Sequence, residues 1–595
     1  MNPAEDSAIV PGRPASLASI MEYISVAEQT AAGAGIPVRF TFLRNFTVEG
    51  IEPYLKYHCL LSGLKPDIVF GNYDMVRQEI LDKTSHVHAL PSDIIVAALY
   101  LETYVPERGR CDWDAAAVMG DLSGLYTDLA ANTAAIIAVN TFIPPFHSDL
   151  GIASSGELPS RYLEVLRLNQ LIREFVRSNP ARFILVDWER FVRLLGEDES
   201  LDYRFWYMSK APFKKGFLDL YARELVKIAR ALKGKAKKCL VLDCDNTLWG
   251  GIIGEDGLQG IKLDMHSYPG NVFYGFQQQV LALHDRGILI ALCSKNNEAD
   301  VWEVLDNHPG ALLKREHLAA WRINWRDKAA NLKELAEELN LGLDSFVFVD
   351  DNSTECGLVR DLIPDVTVLQ VPAKLYTYPL LLASDGLFDT LSLSGEDRRR
   401  SQMYREEAGR RHEQAKYETL DQYLASLALA ITVHPARTDE VLRIAQLTQK
   451  TNQFNLTTRR YSEAQVAALV ADPSRAVISL SVRDKFGDSG LTGVLIARND
   501  DGYGTIDTFL LSCRILGRNI EVAFVLRALE LMEESWRISS WQASYVPTQK
   551  NQQVAGFWPL MGFAEISCQE GHACYELPGN APRREPIPYI VIEKE

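Results

Sequence analysis

The chain reads as an α/β protein built from several domains, and three observations predict this. Through residues 37–235, short apolar runs alternate with amphipathic helical stretches, the pattern of a mostly parallel sheet whose strands are joined by helices. The alternation resumes through residues 236–385 with sharper punctuation, each apolar strand ending in polar residues. The length of 595 residues exceeds what one hydrophobic core can serve at ~150 residues per domain, so about three or four domains are expected.

In chain order, a small-residue leader (1–36) precedes five strand candidates, VRFTFL, DIVFG, SDIIVAALY, TAAIIAVNTF and ARFILVDW. The central domain (236–385) has a strand at 239–243, a helix near 271–286, the strand ILIALCSKN, a helix through 327–340 and the strand SFVFVDDN. A charge-dense stretch at 394–427 has a helical pattern and marks a connector (386–430). The remaining domain (431–595) holds several strand candidates and a long helix after LSCRILGRN. No internal repeat is visible.

Composition excludes some functions. Lys and Arg number 62 against 78 Asp and Glu, a net charge of −16 with both signs interspersed, which argues against nucleic acid as a partner. Nine cysteines, none in a Cys-x-x-Cys pair, suggest neither a disulfide framework nor a zinc ribbon, and the expectation is a reduced interior. The first thirty residues lack the basic start and apolar core of a signal peptide. No apolar run approaches the ~18 residues of a spanning helix, so a cytoplasmic protein without a membrane partner is expected.

The stretch LVLDCDNTLWGG (240–251) ends a strand in two aspartates, Asp243 and Asp245, followed by Thr247. In an open parallel sheet the carboxyl ends of the strands form the ligand crevice, so polar strand endings converge on one site. An isolated Asp-x-Asp is often only a turn or a helix cap. Here three more strand or helix ends follow in order: Ser294 in LCSKN, Lys328 in NWRDKAANL and the pair Asp350-Asp351 in FVFVDDN. Together they resemble the haloacid dehalogenase-like (HAD) phosphotransferases. The resemblance implies a Rossmannoid fold in which Asp243 attacks phosphorus and Asp245 serves as acid and base. It implies Mg2+ held by Asp243, the backbone carbonyl of Asp245, and Asp350, with Ser294 and Lys328 on the phosphoryl oxygens. Asp351 would position Lys328 or a metal-bound water, and Thr247, Lys295 and Asn296 would line the substrate site. The short segments between motifs leave no room for a large lid, so the cap is minimal and the crevice open.

Longer strings narrow the resemblance. LDCDNTLWGGIIGEDGLQGI, CSKNNEADV, INWRDKAANLKELAEELNLGLDSFVFVDDN, KTNQFNLTTRRYS and DTFLLSCRILGRNIE resemble the FkbH-like proteins from about residue 200 to the end. That family implies transfer of a glyceryl unit from 1,3-bisphosphoglycerate to a phosphopantetheinylated acyl carrier protein, with loss of phosphate, in polyketide and related pathways. Two departures stand out: Cys244 replaces the usual leucine between the aspartates, and the Asn-Pro-x-Glu-Arg run reads Asn352, Ser353, Thr354, Glu355, Cys356.

The C-terminal domain resembles the GNAT acyltransferases. CRILGRN falls where that fold's Arg/Gln-x-x-Gly-x-Gly/Ala loop meets a pyrophosphate: Arg514 and Gly517 match, and Asn519 replaces a small residue. Trp558 stands where the acid tyrosine of that fold lies, and an indole cannot return a proton to a thiolate. Cys513, read as ending a strand beside Arg514 and a helix start, is the candidate thioester nucleophile. Cys239 and Cys293 read as core, and Cys244 is expected to point away from the metal by strand alternation. The N-terminal domain resembles an SGNH hydrolase-like fold in which FLRNFTVE replaces the nucleophile block, FGNYD faintly suggests the oxygen-stabilising block and His147 stands as a lone loop histidine; a non-catalytic docking or scaffolding role is expected. Two other readings stay open: a stand-alone phosphatase with a carrier-binding GNAT-like module, and a scaffold with an inactive HAD domain.

Overall fold

The computed structural model describes residues 16–593 apart from 31–34, 106–112, 148–149, 153–159, 383–385, 392–409, 411–412, 414–415, 418, 501, 549 and 567–571. Most of the expected connector helix at 394–427 lies outside the described residues; within it the helix Leu420–Ser426 is described. The chain divides into two compact units, Met1–Lys233 and Gly234–Glu595.

In the first unit, β1 (Ile36–Arg44), β2 (Leu64–Phe70), β3 (Ile94–Ala98), β4 (Ile136–Asn140) and β5 (Phe183–Val186) form a parallel sheet in the order β2-β1-β3-β4-β5. Each strand candidate of this region is a strand. The winding reverses between β1 and β3, the position where such a sheet opens a crevice. There the amide of Asn45 exchanges hydrogen bonds with the backbone of Tyr100 (3.1 and 2.7 Å), and Arg44 pairs with Glu49 and donates to the Gly71 carbonyl at 2.9 Å. His147 is exposed. Part of the stretch read as a leader is a helix, Leu17–Thr30, which buries Ile20 and Ile24 and sets Tyr23 edge-on to Tyr57 at 5.2 Å.

The second unit holds two sheets. The first contains β6 (Cys239–Leu242), β7 (Leu289–Ser294), β8 (Leu318–Ile323), β9 (Phe346–Asp350) and β10 (Thr367–Gln370), all parallel in the order β10-β9-β6-β7-β8. The innermost strands are buried along their whole length, which is why they read as unbroken apolar runs rather than as alternation. The winding reverses at β6, so the ends of β6, β7 and β9 share one crevice.

The second sheet has eight strands: β11 (Leu429–Pro435), β12 (Arg475–Asp484), β13 (Gly487–Asp500), β14 (Tyr503–Leu511), β15 (Ser540–Tyr545), β16 (Ala564–Ile566), β17 (Ala573–Pro578) and β18 (Ile590–Glu593). The sheet is mixed: β14 and β15 run parallel, joined by the helix Ile520–Ser535, but pair only from Tyr503–Ser540 to Ile506–Ala543. Beyond that point they splay, and the segment Phe454–Leu456 fills the gap. Leu456 donates to the Phe509 carbonyl (3.1 Å), Leu511 to Phe454 (3.0 Å) and Val546 to Leu456 (2.8 Å). The far half of β14 is therefore paired within the chain itself.

Cys574 is disulfide-bonded, contrary to the expectation from cysteine spacing; a cross-link needs only two Cβ atoms brought close in space, which spacing along the chain does not report. Among the described residues no helix is long and apolar enough to cross a membrane.

Candidate active site

The crevice at the carboxyl ends of β6, β7 and β9 collects acidic and basic side chains from four separate segments. Asp243 directly follows β6, and its N–H bonds the Val349 carbonyl of β9 at 3.0 Å. Asp350 closes β9 and is fully buried. Between them stands Lys328, the first residue of the helix Lys328–Glu338, with its Nζ 3.0 Å from Asp243 Oδ1 and 2.6 Å from Asp350 Oδ2. Burial alone would lower the Lys328 pKa, but Asp243 and then Asp350 outweigh it and hold the ammonium well above its ordinary value.

Asp350 and Asp351 are shifted upward as well. Burial, then the charge of Asp243, raises Asp350; the same causes, with Asp350 added, push Asp351 up to about 6. One oxygen each of Asp243, Asp350 and Asp351 lies within 4.8 Å of the others, the only such metal-holding group found among the described residues. Three carboxylates against one ammonium leave two negative charges in excess. An all-oxygen, doubly negative donor set fits a hard divalent cation.

Asp245 is held differently. Its Oδ1 accepts from Trp249 Nε1 (2.9 Å) and the Ile253 N–H (3.0 Å), and its Oδ2 accepts from Asn296 Nδ2 (2.8 Å). Both of its side-chain oxygens are thus engaged by neighbouring donors. Asn296 therefore serves as an orienting donor to Asp245. Lys295 pairs with Glu355 at 2.7 Å on the rim. Ser294 ends β7, buried, and its side chain hydrogen-bonds the Cys244 thiol. Cys244 is thus packed against the site, where strand alternation had it facing away, because the chain leaves extended geometry immediately after Leu242. Burial, then the charge of Asp243, pushes that thiol well up and keeps it inert.

The loop carrying Asp243, Asp245 and Thr247 is braced from a distance. Asn246 takes a left-handed φ of 51°, and its side chain accepts from the Gly251 N–H at 2.9 Å. Gln277, fully buried, donates to the Leu248 carbonyl at 2.9 Å. Tyr378 donates its hydroxyl to the Thr247 carbonyl at 2.9 Å and stacks on Phe276 with ring centroids 4.0 Å apart. Thr247 Oγ1 is buried without a partner, spare hydrogen-bonding capacity in this loop. Sequence reading missed Gln277 and Tyr378 because braces 29 and 131 residues from the residues they hold leave no local signature.

Cys513, Arg514 and Gly517 are not brought to this crevice. Cys513 opens a single 3-10 turn, Cys513–Ile515, and the long helix begins only at Ile520, so the helix start invoked for that thiol lies seven residues further on. Its carbonyl accepts from Asn340 Nδ2 (2.7 Å), and its side chain packs against the core of the β6–β10 sheet. It lines a cavity with Lys238, Leu289 and Ser345, which stand where β6, β7 and β9 begin, whereas Asp243, Ser294 and Asp350 stand where they end. From Lys238 to Asp243 is roughly 16 Å at ~3.3 Å per residue. Gly517 takes φ +77°, Arg514 Nε donates to Ser512 Oγ (3.2 Å), and Asn519 Nδ2 donates to Tyr589 Oη (2.6 Å). Beside them Glu521, in the first turn of the helix, is largely buried with Oε2 unpartnered, and burial raises its pKa.

The sheet order and the crevice are those expected of a HAD-like phosphatase domain. Over 63% of its length the chain is similar to the N-terminal part of the protein BF1531 from Bacteroides fragilis, a crystal structure containing a phosphatase domain complexed with Mg, at 25% identity, 99% coverage of that chain and a TM-score of 0.57. Shorter matches are to acetyltransferases. One is the ribosomal-protein-S18-alanine N-acetyltransferase from Escherichia coli, at 12% identity over 25% of this chain and 93% of that one, with a TM-score of 0.20. Another is the PaiA N-acetyltransferase from Thermoplasma acidophilum in complex with coenzyme A, at 14% identity over 25% of this chain and 98% of that one, with a TM-score of 0.19. No family model and no curated protein matches the chain. The fold class is as expected in being α/β throughout, with parallel sheets first and a mixed sheet at the C-terminus.

Replacing Tyr378 by Phe strands the buried Thr247 carbonyl. The variant is expected to lose about 1–3 kcal/mol in denaturant unfolding of the second unit. Its phosphatase turnover is expected to fall while the KM for a small aryl phosphate stays near that of the parent chain.

Proposed function

We propose that the protein is a Mg2+-dependent phosphohydrolase whose nucleophile is Asp243, and that it acts with an acyl carrier protein as a glyceryltransferase and phosphatase. The observation that carries the first part is Lys328 set between Asp243 and Asp350, with Asp351 completing a three-carboxylate cluster. Asp243, Asp350, Asp351 and the Asp245 carbonyl would hold Mg2+, whose charge would draw a phosphate into an otherwise repelling crevice. Asp243 Oδ attacks phosphorus, the bond to the leaving oxygen breaks, and Asp245 supplies that oxygen with a proton. Asp245 then takes a proton from water, whose oxygen displaces phosphate from Asp243. Lys328 and Ser294 face the phosphoryl oxygens through both steps. Asp245 can be aimed for this because Trp249, Ile253 and Asn296 fix its plane.

The acyl-transfer part rests on the FkbH-like strings and on Cys513. Its sulfur would attack the acyl carbon of 1,3-bisphosphoglycerate, forming C–S as C–O breaks and inorganic phosphate leaves. The carrier's phosphopantetheine thiol would then take the acyl group by thioester exchange. Because Phe454–Leu456 fills the gap beside β14, the approach to Cys513 runs through the cavity at Ser512–Arg514 rather than along the strand. A second reading, a stand-alone phosphatase with a carrier-binding module, is favoured by the distance of Cys513 from the carboxylates and by Glu521 at the start of the helix.

Asp243→Asn is expected to lower Mg2+-dependent phosphate release by at least ~1,000-fold, and near-parental turnover would remove Asp243 from the nucleophile role. Mg2+ affinity, followed by calorimetry, is expected to be about tenfold weaker at pH 5 than at pH 7.5. Asp351 titrates at about 6, so protons compete with the cation below that value and not above it. Incubation with 1,3-bisphosphoglycerate is expected to add a phosphoglyceryl mass to Cys513; a Cys513→Ala chain that gains the same mass would rule that thiol out.

A further inference from the structure

Three of the chain's ten tryptophans gather on one turn beside the carboxylate crevice. Trp325 Nε1 donates to Asn297 Oδ1 at 3.2 Å, and Trp302 and Trp321 each donate from Nε1 to Glu298 Oε1 at 2.9 Å. Asn297 precedes and Glu298 opens the helix Glu298–Asn307, just beyond Ser294. The same turn reaches Asp245: the Asn297 N–H bonds Asn296 Oδ1 at 3.1 Å, and Asn296 Nδ2 bonds Asp245 Oδ2 at 2.8 Å. Trp325 is brought there from the end of β8, where the N–H of its neighbour Asn324 bonds the Ser294 carbonyl at 3.0 Å.

The rings are held but not all covered. Trp302 is buried and edge-on to Trp321, with centroids 5.1 Å apart, and the Arg315 guanidinium lies 3.9 Å from its centroid. Trp321 is 39% exposed and Trp325 70% exposed. An indole already fixed through its N–H has little rotamer freedom left to lose, so covering its face costs little ordering entropy. On the other oxygen of Asp245, the bond from the Ile253 N–H at 3.0 Å brings Ile252, 39% exposed, to the same rim. Accessible apolar surface thus stands on both sides of Asp245. The flank toward β9 is charged instead, where Lys295 pairs with Glu355 at 2.7 Å.

In the displacement at phosphorus, the atom that takes a proton from Asp245 is the leaving oxygen, so the body carried by that oxygen lies beside Asp245. A small polyol there would leave the indoles bare, whereas an apolar body removes both its own surface and theirs from water. Contact with such a non-reacting part of the substrate holds the phosphate in place.

We propose that Trp325, Trp321 and Ile252 form a leaving-group subsite of the crevice, and that it takes a phosphate monoester whose ester oxygen carries an apolar body. Calling that body a leaving group rests on the phosphohydrolase reading; the apolar contact itself does not. The body has two sources, a flat ring and an alkyl chain, and each is probed separately.

The test is calorimetric titration of the full chain, with Mg2+ present, using methylphosphonate, benzylphosphonate and hexylphosphonate, whose P–C bonds resist hydrolysis. At least one of the two bulky analogues is expected to bind about tenfold or more tighter than methylphosphonate. That contrast is expected to fall below about threefold in Trp325→Ala and to persist in Trp325→Phe, which keeps a ring without the N–H. Damage to the fold or to metal affinity weakens all three analogues together, so the ratio isolates the apolar contact. Equal affinity of the parent chain for all three, no binding of either bulky analogue, a contrast that survives Trp325→Ala, or one lost equally in Trp325→Phe overturns the proposal. A contrast accompanied by turnover insensitive to Asp243→Asn would defeat the phosphohydrolase reading and leave the subsite standing. Turnover that depends on Asp243 without any contrast would do the reverse.

Discussion

A buried ammonium between two buried carboxylates organises the catalytic crevice. Lys328, Asp243 and Asp350 are all nearly inaccessible, so each would be costly to ionise alone, and each is stabilised by the others at 2.6–3.0 Å. That requirement fixes the height at which the helix Lys328–Glu338 must begin relative to the ends of β6 and β9. It also leaves the crevice with two negative charges in excess once Asp351 is included, the excess a divalent cation neutralises.

The rest of the loop is positioned around that triad. Gln277 and Tyr378 pin the carbonyls of Leu248 and Thr247 from elements remote in sequence, while Trp249, Ile253 and Asn296 set the plane of Asp245. These contacts place no charge of their own in the site. They convert a turn that would otherwise sample many conformations into one that holds Asp243 and Asp245 in fixed positions, which is the entropic part of preorganisation.

In the second unit the carboxylates gather where the strands of the β6–β10 sheet end and Cys513 lies where they begin, with about five residues of buried apolar strand between.

Much of this was legible in the sequence. Asp243, Asp245, Ser294, Lys328 and Asp350 announce themselves because each closes a strand, follows a strand end within three residues or opens a helix, and parallel-sheet topology obliges such ends to meet. Apolar runs long enough to be strands and too short to be helices marked the parallel sheets in advance. What only the tertiary structure decided depends on contacts between distant segments. Asp351 joins the metal cluster and Cys244 braces Ser294 because of how the chain turns after each strand, which residue spacing does not report. The filling of the β14–β15 gap by Phe454–Leu456, and the meeting of Lys238 with Lys450 and Lys550 around one cavity, bring together residues from ~55 to more than 300 positions apart. Local pattern determines which residues can carry charge to a surface; packing determines which charges face one another.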